Sequence, residues 1–268
     1  MDAAPALVLV GAGKMGGALL GGWLAAGVEP GTIGVVEPEP SDALKNLAAE
    51  KGFALNPAPA PARTMVLAIK PQMLDAAAPG LAPFLDADSL LISILAGKTV
   101  ANLASRLPAR AIVRAMPNTP AAIGRGITGA FAIAQVTPAQ RETAQELLSG
   151  VGAVEWVSSE QAIDVVTAIS GSGPAYVFLL VEALAKGGEA LGLPPDLAMR
   201  LARATVEGSG ELLHLSPEIS AEILRKNVTS PGGTTQAALD VLMADDGLAA
   251  LMARATAAAA KRAEELAG

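Results

Sequence analysis

The chain has 268 residues, of which 51% are hydrophobic and 3% aromatic, and its formal net charge is −7. This acidic balance argues against nucleic acid and against an anionic membrane surface as partners, since both attract basic faces. The chain has no cysteine and one histidine, His214, which excludes disulfides, thiolate catalysis and a cysteine- or histidine-rich metal site. We find no signal peptide and no membrane-spanning segment, and we expect a soluble cytoplasmic protein without a bound metal.

The first 150 residues alternate short apolar runs with helical patterns. Strands are predicted at 6–10, 32–36, 64–69, 89–94, 111–115 and 127–134. Helices are predicted at 14–26, 42–51, 72–85, 99–107 and 137–150. This alternation is typical of an α/β domain with a mostly parallel sheet and helices on both of its faces.

The first predicted strand runs into Gly11-Ala12-Gly13-Lys14-Met15-Gly16, which matches the pattern G-x-G-x-x-G. Gly11 permits a tight turn, Gly13 lets backbone N–H groups approach a pyrophosphate, and Gly16 lets the helix pack closely on the strand. The N-terminus of the following helix adds partial positive charge. In this strand–turn–helix context the six residues predict a dinucleotide-binding site.

The second predicted strand ends at Glu37, 21 residues after Gly16. An acidic residue at this position normally binds the ribose 2′-hydroxyl, which favours NADH and repels the 2′-phosphate of NADPH. Ser41 follows in the next loop as a candidate for binding a phosphate instead. A Glu37 that points to solvent is an equally open alternative, so the cofactor is either NADH or NADPH.

After about residue 162 the pattern changes to helices alone. They are predicted at 165–191, 196–215, 220–228, 235–243 and 247–266. These helices carry little charge on several of their faces. A small helical domain of this kind is expected to pair with a second copy of itself.

A loop between two of these helices has the composition of an anion site. Pro231 fixes a turn, and Gly232 and Gly233 expose successive N–H groups. A helix that begins at Thr234 or Thr235 would add favourable charge from its N-terminus.

Five motifs together carry a resemblance to a known family. Three close predicted strands and two lie in the helical part: Ala68-Ile69-Lys70-Pro71-Gln72, Ser93-Ile94-Leu95-Ala96-Gly97, Arg114-Ala115-Met116-Pro117-Asn118-Thr119-Pro120, Ser170-Gly171-Ser172-Gly173-Pro174-Ala175-Tyr176 and Val228-Thr229-Ser230-Pro231-Gly232-Gly233-Thr234-Thr235. With the glycine fingerprint, their order and spacing closely resemble pyrroline-5-carboxylate reductase over residues 7–266. The resemblance implies hydride transfer from NADH or NADPH to the cyclic imine 1-pyrroline-5-carboxylate, giving L-proline.

The resemblance also implies a fold and an assembly. We expect a Rossmann domain at residues 1–160, followed by an all-α dimerisation and substrate-binding domain at residues 161–268. In the family two helical domains interlock, each active site is completed at the dimer interface, and decamers also occur.

Site residues follow from the same motifs. Cofactor contacts implied by the family or by the strand-end position are Asn56, Ala68, Ile69, Lys70, Pro71, Ala96 and Asn118. Candidate substrate contacts are Ser172, Glu218, Asn227, Ser230, Gly232, Gly233, Thr234 and Thr235. Thr235 is the best candidate to hydrogen-bond the imine nitrogen, so we expect catalysis mostly by orientation and electrostatics.

Two departures and two alternatives qualify the resemblance. Lys14 stands where the family often has Asn or Gln, and Glu37 stands where many members have an uncharged residue, which puts the usual NADPH preference in doubt. A reductase of a related six-membered imine is one alternative, since one methylene is worth only about 1–3 kcal/mol of discrimination. A dinucleotide-binding protein without turnover is the other. β-Hydroxyacid dehydrogenases need a lysine as proton donor on the first long helix of their second domain. Residues 170–184 of this chain contain no lysine, so this class of enzyme is disfavoured.

Overall fold

The structure is a computed structural model that describes residues 5–267. The chain divides into two compact units. The first comprises everything up to Ser172 together with the segment from Ala259 onwards, and the second comprises residues 173–258.

An eight-stranded sheet forms the centre of the first unit. Its strands are β1 (Leu7–Val10), β2 (Ile33–Val36), β3 (Ala54–Leu55), β4 (Thr64–Leu67), β5 (Leu90–Ser93), β6 (Ala111–Met116), β7 (Gly126–Ala132) and β8 (Gly152–Trp156). Their spatial order is β3-β2-β1-β4-β5-β6-β7-β8, and every neighbouring pair is parallel except β6 and β7. The expected mostly parallel sheet is confirmed, and β3 and β8 are additions that the sequence patterns did not predict.

The helices follow the strands along the chain. They are α1 (Lys14–Ala25), α2 (Asp42–Lys51), α3 (Leu74–Leu81), α4 (Val100–Ala104), α5 (Pro138–Ser149), α6 (Ala162–Val166), α7 (Gly173–Ala190), α8 (Pro195–Leu215), α9 (Ala221–Asn227), α10 (Thr234–Leu242) and α11 (Leu248–Ala267). Capping explains two of the starts, because the hydroxyls of Thr99 and Thr137 accept hydrogen bonds from backbone N–H groups in the first turns of α4 and α5. The predicted helix at 72–85 is shorter in the structure and is flanked by 3-10 turns at both ends.

The side chains of β1 divide the core between the two faces of the sheet. Leu7 and Leu9 belong to one buried cluster, and Val8 and Val10 belong to the other, as the two-residue period of a strand requires. Trp23 is buried in the first cluster, and its indole N–H donates to the carbonyl of Leu147 at 2.7 Å. Both clusters are otherwise almost wholly aliphatic.

The register of the sheet fixes where a ligand can bind. Val10 of β1 lies beside Val36 of β2 and Leu67 of β4, so the carboxyl ends of three strands meet at one edge. The chain order reverses between β1 and β4, which is the point where open α/β sheets form a binding crevice.

The second unit is helical within the described residues. Helices α7 and α8 pack on each other around the buried Ala185, Ala198 and Ala202. Larger apolar side chains of α7 lie on its surface, and Phe178 and Leu179 are each 62% exposed in the single chain.

A stretch of 29 residues, Ala162–Ala190, is helical throughout and includes one π turn at Thr167–Gly171. By length and composition alone it is apolar enough to cross a membrane, with a mean hydropathy of 1.5 over its most apolar window, of which 11% is buried. This differs from the expectation that the chain has no such segment.

The last helix contributes to the first unit. Ala263 is buried. Gly97 has a φ of +68°, and a Cβ atom on it would lie 2.9 Å from the carbonyl oxygen of Leu266. The end of α11 therefore lies directly against the loop after β5.

Candidate active site

The glycine loop after β1 has the geometry that its sequence predicts. Gly11 has a φ of +89°, which is left-handed and favours glycine. A Cβ atom on Gly16 would lie only 2.0 Å from the carbonyl oxygen of Gly11, so only glycine permits this approach of helix to turn. A Cβ atom on Gly13 would meet no heavy atom within 4 Å, because Gly13 faces open space.

The N-terminus of α1 is suited to an anion. Gly13 is the N-cap residue, no side chain caps the helix, and no acidic residue lies in the first turn. The first N–H groups of a helix lack intrahelical partners and carry partial positive charge. A pyrophosphate therefore fits here, and the open space at Gly13 lets it approach the backbone.

A groove with a volume of about 640 Å³ lies at the carboxyl ends of β1, β2 and β4, within the range of small-molecule sites. It is lined by Val10, Gly11, Gly13, Val36, Glu37, Pro38, Glu39, Ala68, Ile69, Lys70, Met73, Ala76, Ala77, Gly80 and Leu81. Six of the predicted cofactor residues are among these: Gly11, Gly13, Glu37, Ala68, Ile69 and Lys70. The sequence analysis missed Glu39 and the contribution of α3, which the small residues Ala76, Ala77 and Gly80 could have suggested.

Glu37 is half-buried at the end of β2, and its carboxylate turns towards the glycine loop rather than into solvent. Its Oε2 atom accepts a hydrogen bond from the Ala12 N–H at 2.9 Å. Its Oε1 atom accepts a longer one, 3.4 Å, from the N–H of Glu39. The backbone of the glycine loop after β1 thus holds the Glu37 carboxylate at the mouth of the groove.

Asn56 fixes the backbone of Glu37. Its Oδ1 atom accepts from the Glu37 N–H at 2.8 Å, and its Nδ2 atom donates to the Glu37 carbonyl at 2.9 Å. Asn56 has a φ of +52°, a conformation that asparagine tolerates better than most residues. Its amide is therefore occupied by the chain and positions Glu37.

The two residues after β2 that could bind a phosphate have other partners. The hydroxyl of Ser41 accepts from the Leu44 N–H and caps α2. Lys45 is paired with Asp42 at 3.0 Å, and both side chains are exposed. Neither Ser41 nor Lys45 lines the groove.

The remaining predicted cofactor residues lie on the loops that follow other strands. Lys70 is exposed and is the N-cap residue of a 3-10 turn that begins with Pro71. Ala96 is exposed in the turn after β5. Asn118 is buried, and its Oδ1 atom accepts from the Ile127 N–H at 2.9 Å, so its amide oxygen holds the start of β7.

A buried ion pair stands beside the strand-end motif of β6. Arg114 is 3% exposed, and its guanidinium lies 2.8 Å from the Glu160 carboxylate and 3.9 Å from Asp164. Burial raises the pKa of Asp164 above its usual value of 3.8, although the charge of Arg114 acts in the opposite direction. Glu160 also accepts from the Val100 N–H at 2.7 Å, so this cluster joins β6, α4 and the segment before α6.

The candidate substrate loop lies wholly within the second unit. Helix α10 begins at Thr234 with Gly233 as its N-cap residue, no side-chain cap and no acidic residue in its first turn. Gly232 has a φ of +70°, and the Gly233 N–H donates to the Ser230 carbonyl at 3.0 Å. These N–H groups at a helix start have the arrangement of an anion site. Thr235 is half-buried at the second position of the helix.

The other candidate substrate residues are less enclosed. Asn227 and Glu218 are exposed, at the end of α9 and in the loop before it. Ser172 is half-buried, directly after the π turn, and its N–H donates to the Thr167 carbonyl at 2.8 Å. Such turns are frequent at functional sites.

A doubly wound sheet, an open glycine loop at a helix start and a groove at the strand-order switch define a dinucleotide-binding protein of the Rossmann type. Among the residues that the structure describes, no group of three or more acidic or histidine side chains could hold a metal ion.

Comparison with known proteins identifies the family. Residues 160–266 match the family model described as pyrroline-5-carboxylate reductase dimerisation, and residues 6–97 match the model described as NADP oxidoreductase coenzyme F420-dependent. The chain is 43% identical to the pyrroline-5-carboxylate reductase of Pseudomonas aeruginosa, with 98% of this chain and 97% of that one covered. The chain belongs to the pyrroline-5-carboxylate reductase family.

Solved structures agree with this assignment. The pyrroline-5-carboxylate reductase of Coxiella burnetii superposes with a TM-score of 0.89 at 36% identity, over 99% of this chain and 100% of that one. The pyrroline carboxylate reductase of Plasmodium falciparum, solved with NADP bound, superposes with a TM-score of 0.79 at 26% identity over the whole of both chains. The resemblance found in the sequence motifs is thereby confirmed, and so is the predicted fold class.

Proposed function

We propose that this chain is an NAD(P)H-dependent reductase that converts 1-pyrroline-5-carboxylate into L-proline, the last step of proline biosynthesis. Full-length similarity to pyrroline-5-carboxylate reductases supports the reaction. The observation that carries it in the structure is the dinucleotide groove with its open glycine loop. A dinucleotide held in this groove would supply the hydride for C5 of the imine, and the ring nitrogen would take up a proton.

The substrate is a small, flat anion, and the loop at Ser230–Thr235 suits its carboxylate. Gly232 and Gly233 leave the backbone bare, and the uncapped start of α10 adds partial positive charge. We assign Asn227, Ser230, Thr234 and Glu218 to substrate binding, and the resemblance to the family implies a substrate contact for Ser172 as well.

Thr235 is assigned the hydrogen bond to the imine nitrogen. An imine nitrogen has a pKa near neutrality or somewhat below, so an oriented hydroxyl or water is sufficient and no strong acid is required. Catalysis then depends on orientation and on the placement of dipoles. This agrees with a chain that has one histidine and no cysteine.

The test is a steady-state assay of NADH and NADPH oxidation with 1-pyrroline-5-carboxylate and with its six-membered analogue. We expect Thr235→Val to lower kcat by roughly 10- to 1000-fold, as for loss of one oriented donor, and Thr235→Ser to restore most of it. Thr143→Val is the matched control, because Thr143 is also half-buried and its hydroxyl bonds only within α5. Turnover by Thr235→Val at the parental rate would refute the role. Preference for the larger imine would refute the substrate.

We further infer that residues 161–268 form the substrate-binding and dimerisation domain of a homodimer. The match to the dimerisation model over 160–266 supports this, and so does the exposed apolar surface of α7. Covering that surface with a second copy accounts for the hydropathy of Ala162–Ala190 without a membrane. Assembly of dimers into decamers, and a cytoplasmic location where reduced nicotinamide cofactors are formed, complete the proposal.

A further inference from the structure

The charges that line the dinucleotide groove are unbalanced. Among the described residues that line it, Glu37, Glu39 and Lys70 carry charge, and no arginine does. Dinucleotide-binding sites that accept a 2′-phosphate usually supply an arginine near the end of the second strand. Here that position carries two carboxylates.

The carboxylate of Glu37 is fixed in place. The Ala12 N–H binds its Oε2 atom at 2.9 Å, and Asn56 holds its backbone through two hydrogen bonds. A carboxylate held in this way is acceptor-only, so it fits a partner that donates, such as the two hydroxyls of a ribose. A 2′-phosphate at the same place would carry a charge of about −1.5 to −2, and the Glu37 carboxylate would repel it.

The two polar residues after β2 that could bind a phosphate do not compensate for that repulsion. The hydroxyl of Ser41 caps α2, and Lys45 is neutralised by Asp42. Asp42 also lies in the first turn of α2, where its negative charge offsets the attraction of that helix N-terminus for a phosphate.

We propose that Glu37 selects NADH over NADPH in this chain, and that Asn56 is the residue that positions it. The inference rests on the proposed dinucleotide-dependent function and specifies its cofactor. A relative of this fold has been solved with NADP bound, so the scaffold itself admits a 2′-phosphate. Selectivity must therefore come from side chains at this end of the groove.

The experiment measures binding directly, by isothermal titration calorimetry of NADH and NADPH into the full-length protein. We expect the parent to bind NADH on the order of 10- to 100-fold more tightly, because the Glu37 carboxylate repels a 2′-phosphate across a groove that is partly open to water. Glu37→Gln keeps an oxygen for the Ala12 N–H and removes the charge, so its selectivity should fall at least tenfold. Glu37→Ser is a second variant with less bulk, and thermal melts check that both fold.

Glu39→Gln is the matched control. It removes the same charge from the same groove, but the Glu39 side chain is exposed and its link to Glu37 runs through the Glu39 backbone N–H. We expect its selectivity to stay within about threefold of the parent, since exposed charges interact weakly through water. Asn56→Gly keeps the left-handed backbone and frees Glu37, so it should lower the selectivity for NADH over NADPH.

The outcomes separate this inference from the proposed function. Equal binding of the two dinucleotides by the parent, or equal effects of Glu37→Gln and Glu39→Gln, would overturn the inference and leave the reductase intact. NADH-selective binding without imine reduction would overturn the reductase and leave the inference. Binding of neither dinucleotide would overturn both.

Discussion

The open space at Gly13 predicts that a substitution there lowers dinucleotide affinity without lowering the stability of the fold. A Cβ atom on Gly13 would meet no protein atom within 4 Å, so Gly13→Ala should fold normally. The same methyl group would project into the space through which a pyrophosphate approaches the start of α1. We therefore expect Gly13→Ala to lose dinucleotide affinity while its stability stays close to that of the parent.

The magnitude follows from two estimates. One extra methyl group forced into a close contact costs about 1–3 kcal/mol, which is roughly a 5- to 100-fold loss of affinity at 1.4 kcal/mol per decade. For stability, alanine is a poorer N-cap than glycine by roughly 0.5–1 kcal/mol. It also reduces the entropy of the unfolded chain, which is worth about 0.4–1 kcal/mol in the opposite direction. The net change in unfolding free energy should be within about 0.5 kcal/mol.

The assay combines calorimetric titration of NADH with guanidinium unfolding for three alanine variants. Gly21→Ala is the control in the same helix, because its Cβ atom also meets nothing within 4 Å. It should gain up to about 1 kcal/mol from helix propensity and bind normally. Gly16→Ala should fail to fold stably, because its Cβ atom would lie 2.0 Å from the Gly11 carbonyl oxygen. Binding by Gly13→Ala within threefold of the parent would refute the reasoning.

Three further changes test the ion-pair cluster and the helical surface. Glu160→Gln leaves Arg114 buried without its nearest charge, and should cost about 2 kcal/mol of unfolding free energy in urea titrations, as for the loss of one hydrogen bond between charged groups. Burial raises the folded-state pKa of Asp164, so the parent loses stability as the pH rises above 3.8 and this carboxyl group ionises. The unfolding free energy of Asp164→Asn relative to that of the parent should therefore be higher at pH 7 than at pH 3. Phe178→Glu places a charge on the exposed face of α7, and sedimentation velocity should show monomers in place of dimers.

Two of these changes have a matched control variant, and the third is checked by its pH dependence. Glu222→Gln breaks an exposed ion pair with Lys226 and should change stability by no more than about 0.5 kcal/mol; an equal loss in both variants would contradict the importance of burial. A stability difference for Asp164→Asn that is independent of pH would contradict the raised pKa. Ile123→Glu changes an apolar side chain that is 77% exposed in the first unit, and it should leave the dimer intact.

Most of the sheet, including the presence of β7, could be predicted from the sequence, but β8 could not. Every strand from β1 to β6, apart from the two-residue β3, is a short buried apolar run next to a helical pattern. β8 alternates half-buried and exposed residues at the edge of the sheet, and its sequence Gly-Ala-Val-Glu-Trp carries little signal. The direction of β7 follows from the short connection at 117–125, since a parallel crossover needs about a dozen residues or more.

The parts of the candidate site that are formed by residues adjacent in sequence could be predicted. The glycine fingerprint and the start of α10 at Thr234 follow from residue types and spacing. The partner of Glu37 was not predictable, because the bond to the Ala12 N–H depends on a side-chain rotamer and on a contact across 25 residues. The hydrogen bonds of Asn56 to the same segment were hidden for the same reason.

The position of Leu266 against Gly97 has a consequence for how the protein is made. The sheet unit lacks its final piece until α11 has been synthesised, and residues 173–258 come in between. At roughly 5–20 residues per second, translating that insertion takes on the order of 4–17 s. During this interval the loop after β5 on the nascent chain lacks its contact with Leu266. The first unit can therefore complete its fold only after the end of α11 has been synthesised.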